Sequence, residues 1–191
     1  MKQQPYKKLF TYWFSLIIYD LTVQFCKKYI LSNLSHLGSS DKRTADQMIQ
    51  AARSGKQNIV EGSEELKTSF KMGIKLTNVA KASLEELLAD YEDFLRQRSL
   101  EIWEKSDSRV KKIRDYSAKL VSRLSYLGNL EKELKLPELP ETAANTLLTL
   151  CHQATYLLNK QVEGLEEKHK KEGGYTEKLY NSRIKYLKSI K

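Results

Sequence analysis

Apolar side chains recur at steps of three and four residues along nearly the whole chain, which is the spacing of one face of an α-helix. The 191 residues include only 8 glycines and 3 prolines, too few for the many tight turns of a β-sandwich. No segment shows the apolar–polar alternation of a strand, and no repeat of fixed period occurs. We therefore predict an all-α fold.

Turn residues divide this chain into a core and two additions. The core, residues 1–171, is predicted to contain helices at about residues 6–37, 43–61, 68–98 and 141–171. Residues 38–41 are predicted to form a turn, Gly62 to end the second helix, and Ser63 or Thr68 to cap the third. Residues 99–140 form an inserted helical segment, with a helix capped by Asp107 and a proline-containing linker at 134–140. Residues 172–191 form a C-terminal extension with an amphipathic helix at 176–190.

The first predicted helix is apolar on two nearly opposite sides. One stripe consists of Leu9, Tyr12, Leu16, Tyr19, Val23, Cys26 and Ile30, and the other of Phe10, Phe14, Ile17, Leu21, Phe25 and Tyr29. A helix with two apolar faces needs cover on both. The second cover is either another helix of the same chain or another subunit, and the sequence leaves both alternatives open.

The formal net charge is +9, and it is unevenly distributed. Residues 1–40 carry +4, residues 41–98 are neutral, and residues 99–191 carry +5. An excess of this sign favours polyanionic partners, such as nucleic acid or an acidic surface.

Two basic segments carry the C-terminal excess, and acidic residues elsewhere in 99–191 partly offset it. We predict that they bind phosphates through Arg109, Lys111, Lys112, Arg114, Lys119 and Arg123, and through Lys178, Arg183, Lys185 and Lys188. Tyr175, Tyr180 and Tyr186 are interleaved with the second set and can stack on bases. The alternative is a pair of solvated amphipathic helices, which the sequence alone favours. A ring-shaped oligomer would favour binding instead, because it repeats each weak contact.

No catalytic or metal-binding pattern accompanies these segments. A di-iron bundle needs two Glu-x-x-His elements, and only one such spacing occurs, from Glu166 to His169. Cys26 and Cys151 are far apart and are interpreted as reduced, buried thiols. The P-loop, GxSxG and HExxH motifs are missing. We therefore expect no enzymatic activity, no cofactor, no metal and no small-molecule substrate.

The N-terminal apolar run does not fit a targeting or membrane segment. Lys7 and Lys8 precede an uncharged run at residues 9–19, but no alanine that could form a cleavage site precedes Ala45. The run is also too short to span a bilayer, and Asp20 closes it. We expect a cytoplasmic protein without a membrane partner.

Two motifs carry a resemblance to a known family. Residues 50–62, QAARSGKQNIVEG, resemble the R-A-x-x-S-x-x-x-N-I-A-E-G signature of the four-helix-bundle proteins encoded in bacterial 23S rRNA intervening sequences. Residues 80–87, AKASLEEL, resemble the A-x-G-S-L-x-E-L motif of the same family, which includes the accessory variability proteins of retroelements. The matching positions include Ala51, Ser54, Asn58, Ile59, Glu61, Gly62, Ala80, Ser83, Leu84 and Glu86. The chain departs from the motifs at Gln50, Val60 and Ala82.

The resemblance implies a left-handed up-down-up-down four-helix bundle and a cyclic homo-oligomer, a pentamer in the better-understood relatives. It also implies a basic surface able to contact nucleic acid, and it does not imply catalysis. Asn58 and Glu61 are expected to hydrogen-bond neighbouring helix ends, with direct ligand contact as the alternative.

We therefore predict a non-enzymatic, homo-oligomeric helical-bundle protein that binds nucleic acid nonspecifically, as an accessory to an RNA- or DNA-processing enzyme. The alternative is a protein–protein interaction scaffold whose charge only serves solubility.

Overall fold

The computed structural model of the protein describes residues 4–32, 39–127 and 135–190. Over these residues the chain forms six α-helices and no β-strand, which confirms the all-α prediction. The helices are α1 (Phe10–Phe25), α2 (Ser39–Glu65), α3 (Phe70–Gln97), α4 (Ser108–Leu127), α5 (Pro140–Glu172) and α6 (Tyr175–Ser189). A 3-10 turn at Pro5–Lys8 precedes α1, and a π-helical turn at Cys26–Ile30 follows it.

The first helix is shorter than predicted at both ends. Leu9 is extended and separates the 3-10 turn from α1. The Trp13 indole N–H donates to the Lys7 carbonyl at 2.8 Å, so a side chain ties the preceding turn to the first turn of α1. The regular helix ends at Phe25 and the π-helical turn at Ile30, so the predicted continuation to residue 37 is wrong for residues 31–32; residues 33–37 lie outside the described part.

The second helix is longer than predicted, because Gly62 does not end it. Residues 39–41 are helical rather than a turn, and α2 continues through Gly62 to Glu65. A Cβ at Gly62 would lie 3.2 Å from both the Gly73 carbonyl oxygen and the Leu76 Cβ. Glycine is therefore needed there for close approach of α3, not for a helix stop. The N-cap of α3 is Ser69 instead of Ser63 or Thr68, and its hydroxyl accepts the Met72 N–H at 3.2 Å.

The remaining boundaries agree closely with the prediction. The Asp107 carboxylate accepts the Arg109 N–H at 2.7 Å and so caps α4 as expected. Pro140 occupies the first turn of α5, where its missing N–H costs nothing. Gly173 ends α5 with a φ of 68°, which is a left-handed conformation that favours glycine.

The core lies between α1, α2, α3 and α5. Helix α2 packs along α3, α3 along α5, and α1 contacts both α2 and α5. Helix α4, from the predicted insert, packs on α5 and α1. The largest fully buried side chains are Trp13, Ile17, Ile18, Leu21, Phe25, Met48, Ile59, Leu84, Leu87, Tyr91, Leu95 and Leu124.

The two apolar stripes of α1 are covered unequally. Phe14, Ile17, Leu21 and Phe25 of one stripe are buried. The other stripe is mostly half-buried, although it also packs against the core, and only Cys26 in it is fully covered. The same chain therefore covers the first stripe from Phe14 to Phe25, leaves Phe10 at its start 49% exposed, and covers the second stripe in part.

Helix α6 buries none of its residues. Leu179, Tyr180, Tyr186 and Ile190 are each more than 50% exposed, at 53%, 65%, 65% and 62%. Within the described ranges, no helix is both long and apolar enough to cross a bilayer.

Candidate nucleic-acid interface

Helix α4 separates its apolar and basic residues onto opposite faces. Val110, Ser117, Val121 and Leu124 are buried against the neighbouring helices. Lys112, Lys119 and Arg123 follow one another at steps of seven and four residues, so they lie in one row on the outer face. Tyr116, which is 63% exposed, falls within this row.

The outer cations of α4 are open to solvent. Lys111, Lys112, Lys119 and Arg123 are exposed, and no carboxylate of residues 4–32, 39–127 or 135–190 forms an ion pair with them within 4.0 Å. We call these four residues the α4 basic row, in which Lys112, Lys119 and Arg123 lie in line and Lys111 lies beside Lys112. Because these cations form no internal ion pair, they can contact successive phosphates without first breaking one.

Arg109, although predicted for the same surface, has a different environment. Its guanidinium donates to Asp107 at 2.7 Å and to Glu101 at 2.9 Å, and it lies 4.1 Å from the Trp103 ring centroid. These hydrogen bonds raise the pKa of Arg109 and lower the pKa of the Asp107 carboxyl. Arg109 therefore links α4 to the preceding loop.

Arg114 is also engaged within the chain. It is half-buried, and its guanidinium donates to the Lys105 carbonyl at 3.2 Å. Its own carbonyl accepts a hydrogen bond from Gln153 of α5 at 3.3 Å. The six cations predicted on α4 thus divide into four open ones and two that hold local structure.

A buried amide that the sequence analysis did not identify fixes the loop before α4. Asn145 is only 2% exposed. Its side-chain amide accepts the backbone N–H of Trp103 at 2.9 Å and donates to the Glu101 carbonyl at 2.8 Å. It also donates to the carbonyl of Glu141 in its own helix at 2.9 Å. We call this arrangement the Asn145 clamp. A polar residue at a core-facing position of α5 is the sequence signal that could have revealed it.

The second predicted set of cations lies on α6. Arg183, Lys185 and Lys188 are exposed, and Lys178 lies 3.5 Å from Glu172. The start of α6 is held by the Gly174 N–H, which donates to the Glu177 carboxylate. The helix therefore presents cations, tyrosines and leucines to solvent, and it buries none of them against the described residues.

The family-signature residues mostly hold α2 against α3. The hydroxyls of Ser54 and Ser83 are hydrogen-bonded at 3.0 Å across the two helices. Ala51, Ile59, Ala80 and Leu84 are buried beside them, and a Cβ at Gly55 would lie 2.8 Å from Leu84. These positions therefore allow the two helices to approach closely.

The expectation for Asn58 and Glu61 is wrong in detail. The Asn58 amide donates to the Ser54 carbonyl at 2.9 Å, within its own helix, instead of reaching another helix end. Glu61 is exposed, and its side chain has no hydrogen bond or ion pair with another residue of the described ranges.

An open groove of mixed charge runs beside the signature residues. Asp46, Glu86 and Asp90 line it together with Lys42 and Arg43, and its volume is about 1050 Å³. Burial, and then the charges of Asp93 and Glu86, raise the pKa of the Asp90 carboxyl. The groove therefore carries charges of both signs, whereas the exposed cations of α4 form one row.

Neither thiol has the properties of a nucleophile. Burial raises the pKa of Cys26 to about 12 and also raises the pKa of Cys151. Such thiols are protonated at neutral pH and enclosed in the core. No group of three or more potential metal-ligating side chains occurs in the part of the chain that the structure describes.

Comparison of the chain with protein-family models, with curated proteins and with solved structures gives no match.

Proposed function

We propose that this is a non-enzymatic, homo-oligomeric helical-bundle protein of the cytoplasm that binds nucleic acid nonspecifically, as an accessory factor. The α4 basic row is the observation that carries the proposal. Its cations are exposed, three of them lie in one row of the helix, and no carboxylate of the described residues forms an ion pair with them within 4.0 Å. Phosphate contacts made this way depend on charge and not on base sequence.

The packing of the helices supports a bundle of the proposed family. The contacts of α2 with α3, of α3 with α5, and of α1 with α2 and α5 are those of a ring of four helices. We propose that these four form a left-handed up-down-up-down bundle, as the intervening-sequence signature implies. Helices α4 and α6 are then additions to that bundle.

The proposal includes a homo-oligomer, with five subunits as in the relatives that the signature suggests. The half-buried stripe of α1 and the unburied apolar face of α6 are surfaces that a second copy could cover. Sedimentation equilibrium that gives a 22.2 kDa monomer at micromolar concentration would refute this part.

The test of nucleic-acid binding replaces Lys111, Lys112, Lys119 and Arg123 by Glu. This variant should lose most affinity for RNA and duplex DNA, with a shallower salt dependence, because each phosphate contact contributes a log–log slope of about −0.9 on duplex DNA. The measurement is a fluorescence-anisotropy titration at several salt concentrations.

A matched control variant replaces Lys42, Arg53, Lys71 and Lys75 by Glu. These exposed residues of α2 and α3 give the same change in net charge on another surface. Equal losses in both variants would mean that overall charge, and not the α4 basic row, governs binding. A second variant with Glu at Lys178, Arg183, Lys185 and Lys188 tests α6 in the same way.

A protein–protein interaction scaffold is the second candidate, and the apolar face of α6 favours it. A chain truncated after Glu172 removes that face without removing any buried residue of α6. Two results together would show that the protein is an interaction scaffold. Truncation abolishes oligomerisation or binding of a protein partner, and the wild-type protein fails to bind heparin or nucleic acid.

A further inference from the structure

A groove with a mixed aromatic and polar lining lies on the side of α4 that faces α5. It is formed by the loop before α4, by α4 itself, by α5 and by Glu92 of α3, and its volume is about 720 Å³. That volume falls within the range of sites that hold small molecules or parts of polymers. Val110 and Leu148 form a buried apolar floor.

The walls of this groove are held in place before any ligand arrives. The Asn145 clamp and the Arg109 contact fix the buried Trp103 on one side. On the other side, Gln153 accepts the Ser117 hydroxyl at 2.8 Å and donates to the Arg114 carbonyl. A site that is already ordered loses little conformational entropy on binding.

The rim, in contrast, is exposed. Tyr156, 61% exposed, and His152 lie four residues apart on α5, so they share one face of that helix. Lys105 and Arg114 also line the groove, and the Arg114 guanidinium donates to the Lys105 carbonyl. The groove therefore offers two aromatic rings, two cations and the Glu92 carboxylate around an apolar floor.

We propose that this groove receives an unpaired base of single-stranded nucleic acid. Tyr156 and His152 stack on the base, and Lys105 and Arg114 contact the adjoining phosphate. Aromatic stacking with cations along the backbone is how proteins bind single strands without strong base preference. The inference rests on the proposed nucleic-acid binding and adds that single strands are preferred over duplexes.

The experiment compares three fluorescein-labelled ligands: a short oligothymidylate, the same strand with abasic sites, and a duplex. Wild-type protein should bind the strand with bases more tightly than the abasic strand. Tyr156→Ala should reduce that preference by roughly 5- to 150-fold, the range expected for one lost stacking contact, while the salt slope is unchanged. Tyr156→Phe should keep the preference, because the ring is retained.

Tyr116→Ala is the matched control, since Tyr116 is as exposed as Tyr156 but lies outside the groove. It should leave the preference for bases intact. Equal binding of the strand and the abasic strand would overturn the inference while leaving phosphate binding established. The inference also fails if Tyr116→Ala removes the preference and Tyr156→Ala does not. No salt-dependent binding of any ligand would refute the proposed function and this inference together.

Discussion

Removing the Asn145 clamp should cost more stability than an ordinary hydrogen-bond deletion. Asn145→Ala leaves the Trp103 N–H without its acceptor at 2.9 Å, and Trp103 is only 9% exposed. An unsatisfied buried donor costs about 1–3 kcal/mol, and the lost hydrogen bond to the Glu101 carbonyl adds about 1 kcal/mol. Loss of the side-chain hydrogen bond to the Glu141 carbonyl should cost little stability, because that carbonyl is in position to accept the backbone N–H of residue 145 within α5.

The expected loss of unfolding free energy is therefore about 2–4 kcal/mol. For a chain of this size, that corresponds to a Tm lower by about 4–16 °C. The measurement is urea unfolding followed by circular dichroism, with the m-value checked for a change in the unfolded state.

Thr149→Val is the matched control for this substitution. Thr149 lies one turn further along α5, is also buried, and donates only to the Asn145 backbone carbonyl at 2.8 Å. Thr149→Val should lower the free energy of unfolding by no more than about 1 kcal/mol. If Asn145→Ala costs no more than Thr149→Val, the amide does not hold the loop and the preorganised groove loses its support.

Four further predictions concern two glycines, one carboxyl group and the two thiols. Gly73→Ala should destabilise the fold by about 1–3 kcal/mol, since its Cβ would lie 2.5 Å from a leucine side chain and 3.1 Å from a backbone carbonyl. Gly164→Ala, with no atom within 4 Å of the new Cβ, should stabilise it by about 0.5–1 kcal/mol in the same urea titration. Asp90→Asn should raise the Tm at pH 7 but not at pH 3, because burial and two nearby carboxylates raise the carboxyl pKa. The folded state therefore loses stability as the pH rises from the ordinary aspartate pKa through the raised one. An equal Tm change at both pH values would contradict this. Cys26 and Cys151 should react with a thiol reagent only after unfolding, and rapid labelling of native protein would contradict their burial.

Helical periodicity predicted the elements well because it depends on local spacing. In α2, Ala45, Met48, Ala52 and Ile59 follow one another at helical steps of three, four and seven residues, and all four are buried. The same pattern separated the buried and outer faces of α4. These features need only the sequence of one helix.

Features set by contacts between distant segments could not be predicted in this way. Gly62 has the sequence signal of a helix stop, but α3 approaches it so closely that glycine serves packing instead. The Trp103 N–H meets a side chain 42 residues away, and no local pattern encodes that distance. The division of the α4 cations into open and engaged ones depends on the loop before α4, because Arg109 and Arg114 bond to that loop.

The distribution of charge distinguishes the two functional candidates better than its amount does. A surface that only needs solubility is served by cations and anions interspersed. In this protein the α2–α3 groove carries both signs, with Asp46, Glu86 and Asp90 beside Lys42 and Arg43, whereas Lys112, Lys119 and Arg123 lie in one row on α4. A row of like charges repels itself, so a role in solubility alone does not account for it. If the protein is a scaffold, exchanging the α4 cations for glutamate should raise stability at low salt and change no binding; if nucleic acid is the partner, the same exchange abolishes the salt-dependent affinity.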